Sequence, residues 1–476
     1  MFTHSRHISY SSSTTVIPYA PSDHDAVVVS FSRSSSSPHV LWRYNTSLLP
    51  LPHLQTSIRA LLSPYISPVH WDATKIITRS HAQDLALQAT RSRQAARRFL
   101  ERQLAKALRR AARDVSDSAA AFAALDCRKR LDACLTQETS RAILRARLRW
   151  FEEGETCSPY FFKRFRSYSQ SSSLSLLCDS DGSSFSDSSA RQEHIISYYS
   201  HLCAAPTFSS DACFSFLSPL SLPRLSSAQC TLLLAPFTAK ELLTTIKALP
   251  LRRAPGPDGI PYEWYQTFVD DLVPILLPLY NSVLAGGPIP PSWSRTLVSL
   301  IPKPDRDLSS LANWRPITLA NCDVKIYSRM LATRLATVLP ALISPHQAGF
   351  VQGRNAADIA MALRNVLGHA AEHHVDGAFV FLDQEKAYDR ISHPYLSAVL
   401  TSFGFPLPLQ YALSATYSDT TAFFLDDGHP VGPVQVACGV RQGDPLAPLL
   451  FNLAFEPLLT ALRLRLTGLQ LPWGPF

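Results

Sequence analysis

The chain has 476 residues, with 45 Lys and Arg against 37 Asp and Glu, a formal charge of +8 and a pI near 9.0. That length allows two or three domains with cores of their own, and the basic balance suits a polyanionic partner such as nucleic acid. Nine scattered cysteines with no Cys-x-x-Cys pair exclude a closed disulfide framework and predict free thiols in a reducing compartment.

The N-terminus has no apolar core of the kind a signal peptide needs. No uncharged apolar run reaches the roughly 18 residues of a bilayer span, so none is expected and the chain reads as soluble and intracellular. In chain order, the first predicted element is a strand at Val27–Phe31, between a Pro-Ser-Asp-His turn and the Ser34–Ser37 linker. From about residue 80 to 150 the composition turns to Ala, Arg and Leu without Pro or Gly, which predicts helix. Between Arg91 and Arg113 nine basic residues face one acidic residue, Glu101, and Phe99, Leu100, Leu104 and Leu108 form an apolar stripe expected to be buried. That basic surface is either a solvated face or an arm that contacts RNA or DNA through phosphates, with Arg97, Arg98, Arg109 and Arg110 as its candidate contacts.

Ser167–Ser189 is Ser-rich and turn-prone, and helices are expected at Gln192–Leu202 and Thr238–Leu249. Ala254-Pro255-Gly256-Pro257-Asp258-Gly259-Ile260-Pro261 is a rigid turn that cannot continue the preceding helix. Leu300-Ile301-Pro302-Lys303-Pro304 and Trp314-Arg315-Pro316-Ile317-Thr318-Leu319 follow as Pro-stiffened strands. Lys303 and Arg315 in one cleft would suit a triphosphate, Lys as a point charge and Arg through paired hydrogen bonds. The loop Gln347–Arg354 precedes a helix with Ile359, Leu363, Val366 and Leu367 expected in the core, and Arg354 is a candidate for template backbone. Gly377–Leu382 reads as a buried strand running into Asp383, where a carboxylate is costly unless a divalent ion accompanies it. Asp389 and Arg390 are expected to form a structural ion pair. Gly439–Pro445 is a loop opening a helix, with Asp444 as N-cap, Pro445 in the first turn and Leu446, Leu449, Leu450, Leu453 and Pro457 on the buried side.

The order PGPDGIP, LIPKP, WRPITL, KIYSRMLATRL, QAGFVQGR, FLDQEKAYDR and RQGDPLAPLLFNL resembles the fingers and palm of non-LTR (LINE-type) retrotransposon reverse transcriptases over roughly Thr238–Leu466. The resemblance implies an α+β fold: right-hand polymerase fingers and a partial palm, an antiparallel sheet with helices, preceded by a helical linker. It implies template-directed addition of dNTPs to a primer 3′-hydroxyl by a two-metal mechanism. In that scheme Asp383 is the catalytic, Mg²⁺-binding carboxylate, while Lys303, Arg315, Tyr388, Gln442 and Gly443 surround the dNTP. Tyr388 would form the wall that excludes a 2′-hydroxyl. The partners implied are an RNA template, a DNA primer or target and dNTPs, in an intracellular setting, nuclear or as a cytoplasmic ribonucleoprotein.

A second resemblance, at Pro21-Ser22-Asp23-His24-Asp25 and the strand after it, is to the last motif of apurinic-type endonucleases, with Asp23 and His24 as its chemistry-bearing pair. The expected organisation is an endonuclease remnant at 1–33, a linker with basic helices at 34–190, and a reverse transcriptase domain at 191–476. Arg147–Glu155 and Tyr160–Lys163 resemble the family's linker. The family's aromatic-Ala-Asp-Asp turn does not occur in these 476 residues. The expectation is therefore a polypeptide without polymerase activity of its own, the alternative being a non-catalytic RNA- or DNA-binding remnant.

Overall fold

The Ala-, Arg- and Leu-rich stretch becomes two long helices in the computed structural model, which describes residues 10–17, 26–33, 41–62, 70–113, 117–146, 174–466 (except 180 and 186), 468, 470–471 and 474–475. Asp23, His24 and the segments Arg147–Glu155 and Tyr160–Lys163 lie outside the described residues. The chain divides into two compact units, one of residues 1–39 with 82–173 and one of residues 40–81 with 174–476.

In the first unit, β1 (Tyr10–Ile17) pairs antiparallel with β2 (Ala26–Arg33), which contains the expected strand. Helix α1 (Pro52–Leu61) belongs to the second unit; α2 (Trp71–Arg113) is a single helix whose portion from Ala82 belongs to the first, with α3 (Ser118–Ala146). Leu104, Ala124 and Leu131 form their buried seam, flanked by Leu100, Ala107, Cys127 and Leu135. The expected stripe was too wide. Phe99 and Leu108 stay 58% and 47% exposed, because two paired helices cover only a narrow seam.

The second unit is an α+β body. Its helices are α4 (Ser188–Leu202), α5 (Ser210–Leu217), α6 (Ser227–Leu234), α7 (Ala239–Lys247), α8 (Tyr262–Thr267), α9 (Val269–Leu284), α10 (Cys322–Leu342), α11 (Ala356–Glu372), α12 (His393–Ser402), α13 (Leu407–Tyr417) and α14 (Ala447–Arg465). Its main sheet holds β3 (Arg295–Pro302), β4 (Trp314–Leu319), β5 (Thr420–Asp426) and β6 (His429–Val436) in the order β4-β3-β5-β6. The sheet was expected to be antiparallel and is mixed: β3 runs parallel to β5, while β3–β4 and β5–β6 are antiparallel. A parallel pair needs a long crossover, and residues 303–419 supply it. One face of the sheet packs on α4, where Tyr199 stacks on Phe424 at 4.1 Å and Arg191 bonds Asp426 at 2.8 Å. Helix α7 starts in a reciprocal capping box, Thr238 with Glu241.

Two expected elements differ. Gly377–Leu382 forms no strand, and Phe379, Val380, Phe381 and Leu382 are 38–84% exposed. An extended segment needs a neighbour for its N–H and C=O groups, and no described strand lies beside it. Helix α11 forms, but of its expected core face only Val366 is buried. Helix α14 has the expected buried side, including Leu446, Leu450, Leu453 and Pro457. By length and composition alone, it is the one described helix apolar enough to cross a membrane, and 44% of it is buried in the protein.

Residues 40–81, expected in the linker, belong to the second unit, and Lys75 is among the residues that tie them in. Its ammonium lies 2.8 Å from Asp323, 3.1 Å from Asp72 and 3.6 Å from Asp258, and bonds the Ser292 hydroxyl at 2.5 Å. Asp323 also accepts the indole N–H groups of Trp71 (2.7 Å) and Trp293 (3.0 Å). Burial would lower the Lys75 pKa, but the three carboxylates, Asp323 foremost, raise it. Burial pushes Asp258 up to about 6, whereas Lys75 and the indoles outweigh burial at Asp323 and hold it below the usual range. The rigid Pro-Gly turn is thereby tied to the start of α10.

Candidate functional site

A cavity of about 580 Å³ opens between the ends of β3 and β4, the turn 385–390 and the start of α14. Five residues singled out in the sequence line it together: Lys303, Arg315, Tyr388, Gln442 and Gly443. Lys303 follows β3 and Arg315 lies on β4, and the register that pairs Ile301 with Arg315 sets both cations at one sheet end. The Lys303 backbone N–H bonds Asn313 O at 2.9 Å and its ammonium bonds Ala312 O at 3.0 Å.

The loop 439–443 builds the opposite wall by lying against the chain's own backbone. Gly439 N donates to Ile391 O (2.7 Å), Val440 N to Tyr388 O (2.8 Å), and Thr318 N to Gln442 O (2.9 Å). Gly439 has φ +83°, and a Cβ there would meet the carbonyl oxygens of Asp389 and Tyr388 at 2.8 and 2.9 Å. The glycine is thus needed for close contact with the backbone of residues 388–389. Between the glycines Arg441 is buried, with its guanidinium on Thr416 O, on the Thr420 hydroxyl at 2.9 Å and over the Tyr417 ring. It anchors the loop and leaves Gln442 at the cavity. Asp444 was expected to cap α14 directly. Its carboxylate instead accepts from Leu446 N at 3.0 Å, and the helix begins three residues later with Pro448 in its first turn.

Two further cations line the cavity and escaped the sequence reading, Arg329 on α10 and Lys386; Asp389, read there only as an ion-pair partner, lines it too. Lys386 has φ +52° and shares the Ala312 carbonyl with Lys303, at 3.4 Å. Burial lowers its pKa. Asp389 does not form the ion pair expected with Arg390 among the described residues; its Oδ2 is buried without a hydrogen-bond donor. Burial pushes its pKa up to about 6, against the lowering effect of Lys386, Arg390 and Lys303. The four cations, with Asp389 and Asp444, give the wall a positive excess suited to a polyanion. The motif lysine of residues 383–390 was the signal that could have been followed.

Asp383 is not among the residues lining this cavity; it is exposed, just beyond the unpaired stretch 379–382. Among the described residues no group of three His, Cys, Asp or Glu side chains converges as a metal site. A lone exposed carboxylate does not fit two Mg²⁺ ions, whose ligands must come from several acidic groups. Arg354 donates to the carbonyls of Ser344, Gln347 (2.8 Å), Pro340 (3.1 Å) and Ile343 (3.0 Å), so it caps the C-terminal end of α10. In the first unit, Arg98, Arg109 and Arg110 are exposed; Arg97 pairs with Glu101 at 2.8 Å and Arg110 with Asp117 at 2.7 Å.

Residues 301–471, which hold every residue lining this cavity, match the family model for reverse transcriptase (RNA-dependent DNA polymerase). The chain carries a reverse transcriptase domain. It is 29% identical to the transposon TX1 uncharacterized 149 kDa protein of Xenopus laevis, over 98% of this chain and 36% of that protein. It is also 30% identical to a Pol polyprotein of the type-1 retrotransposable element R2 of Popillia japonica, over 48% of this chain and 31% of that protein. The RNA-directed DNA polymerase of the mobile element jockey of Drosophila melanogaster is 28% identical, over 48% of this chain and 25% of that protein. The chain spans about a third or less of the length of these relatives, and its reverse transcriptase domain is of the kind found in non-LTR retrotransposons.

Proposed function

We propose that the cavity is the deoxynucleotide site of an RNA-directed DNA polymerase, and that β3, β4 and α10 belong to its fingers while the turn 385–390 and the loop 439–443 belong to its palm. One observation carries the reading: Lys303, Arg315, Tyr388, Gln442 and Gly443 line one cavity, joined there by Arg329 and Lys386. Lys303, Lys386, Arg315 and Arg329 receive the triphosphate, the arginines through paired hydrogen bonds. Tyr388, held against Phe451 at 5.3 Å between ring centres, stands under the sugar, and Gln442 faces the base.

Mg²⁺ would supply activation of a primer hydroxyl and charge relief on the leaving pyrophosphate. Asp383 is the family's ligand for it, but the carboxylates described do not fit two ions, so no chemical step is assigned to residues 1–476. An RNA template and a DNA primer are the partners, with the exposed arginines of α2 as added phosphate contacts; the setting is intracellular and nuclear. The endonuclease remnant at 1–33 and the linker at 34–190, apart from the residues 40–81 that join the second unit, complete the proposed organisation.

The test is a fluorescent dATP analogue titrated into the purified chain. Saturable binding, weakened about tenfold or more by R315A with K303A, supports the site; a loss of this size corresponds to about 1.4 kcal/mol or more. Equal binding by the double variant sinks it. Primer extension on an RNA template is the companion assay, and dNTP incorporation lost in D383A would reverse the inactivity proposed for these residues alone.

A further inference from the structure

Asp389 is an odd occupant of a polyanion site. Its carboxylate lies in the wall shared by the 580 Å³ cavity and a smaller one of about 60 Å³ behind the loop 439–442. Its backbone is fixed from three sides: its N–H bonds Lys386 O at 2.9 Å, its carbonyl accepts the Cys438 thiol at 3.3 Å, and Gly439 packs against it. The other acidic wall residue, Asp444, is also raised by burial, but hydrogen bonds from Leu446 N at 3.0 Å and the Ser328 hydroxyl at 3.4 Å favour its charged form. Asp389 Oδ2 has none among the described residues.

The groups that face Asp389 are Lys386 and Arg390 from its own turn and Lys303 from the end of β3. Tyr198 and Tyr199 of α4, Cys203 just after it and Cys438 after β6 also face it. The three cations moderate an ionised carboxylate while the site is empty. A triphosphate arriving on Lys303 and Lys386 takes over those cations and sets several negative charges against the same wall. Two like charges in a partly desolvated site cannot both persist cheaply, and a proton on the carboxylate relieves the conflict. The acid O–H then becomes a donor that a phosphate oxygen or the cavity can use.

We infer that Asp389 takes up a proton from solvent when a nucleoside triphosphate binds, making it the proton-linked group of the triphosphate subsite. The inference rests on the cavity being the nucleotide site. Burial, which already pushes the free carboxyl up to about 6, brings the exchange into the neutral range. By linkage, the affinity for dATP then falls as pH rises from 6 to 8, by up to about tenfold per pH unit.

Calorimetry of dATP binding to the whole chain, in two buffers of different ionisation enthalpy at pH 8, reads this directly, because free dATP carries no exchangeable phosphate proton there. Net proton uptake by the wild type, absent in D389N, is the result expected. D389N should bind within about twofold of the wild type at pH 5.5, where most of the Asp389 carboxyl is already protonated, and more tightly at pH 8. Zero uptake by the wild type overturns the inference whatever the variant does, and so does uptake that persists in D389N. Loss of binding by D389N at pH 5.5 also overturns it, if circular dichroism shows the variant folded; if it is unfolded, D389S is measured in its place under the same criteria. Absence of dATP binding to the wild type at any pH removes the nucleotide site itself, a distinct failure.

Discussion

Replacing Lys75 by Met removes the one cation that Asp323 and Asp258 share, and leaves a side chain of similar length. Asp323 is fully buried and the Asp258 side chain is 11% exposed, so neither charge regains water easily; Asp72, at 24%, partly does. Breaking a buried ion pair from one side costs about 3–5 kcal/mol. Asp323 keeps the indole N–H groups of Trp71 and Trp293 and the backbone N–H of Val324, which favours the low end, about 3 kcal/mol. Amide hydrogen exchange reads that locally: residues 256–262 and 292–324 should open about a hundredfold more readily at pH 7.5. The sign of the pH dependence follows from Asp258, whose folded pKa lies above its ordinary 3.8 and rises further without Lys75. The penalty is full above the folded value in the variant and shrinks as pH falls toward about 6, the folded value with Lys75 in place. Adding D323N to K75M should restore part of the protection. Exchange within fivefold of wild type at pH 7.5, or a penalty that does not shrink at pH 5, would refute the reasoning.

Three further outcomes are expected. G439A forces a Cβ into the Asp389 and Tyr388 carbonyls at φ +83°, so it should cost about 2–3 kcal/mol and lower dATP affinity, read by thermal shift and titration. Y388A removes the wall under the sugar, so the ratio of dATP to ATP affinity should fall toward one; a ratio unchanged from wild type would take Tyr388 away from the sugar. If the exposed face of α2 meets phosphates, neutralising Arg98 and Arg109 should reduce the slope of log K against log salt for single-stranded RNA by about 0.7 for each phosphate no longer neutralised. No change in slope would leave that face merely solvated.

The cavity was legible because its residues sit on stretches with strong local signals. Pro stiffens β3 and β4 beside Lys303 and Arg315, and glycines bracket Arg441 and Gln442. What escaped depends on residues far apart in sequence. Nothing local marks Lys75 as buried, since two of its carboxylates, Asp258 and Asp323, come from about 180 and 250 positions downstream. Asp389 looked like Arg390's partner by adjacency, yet its buried Oδ2 accepts no hydrogen bond, and adjacency in sequence says nothing of burial. The strand expected at 377–382 failed for the same reason: apolar composition supplies propensity, but a strand exists only where another lies alongside.

That stretch has a practical consequence. Phe379 to Leu382 presents four apolar side chains on an open backbone, with Val380, Phe381 and Leu382 76–84% exposed. Such a ribbon is the kind on which chaperones settle and on which chains at high concentration zip together through main-chain pairing. Detergent, low protein concentration or a charged guard residue at Val380 would then govern how much of the protein survives purification, before any question about its chemistry is asked.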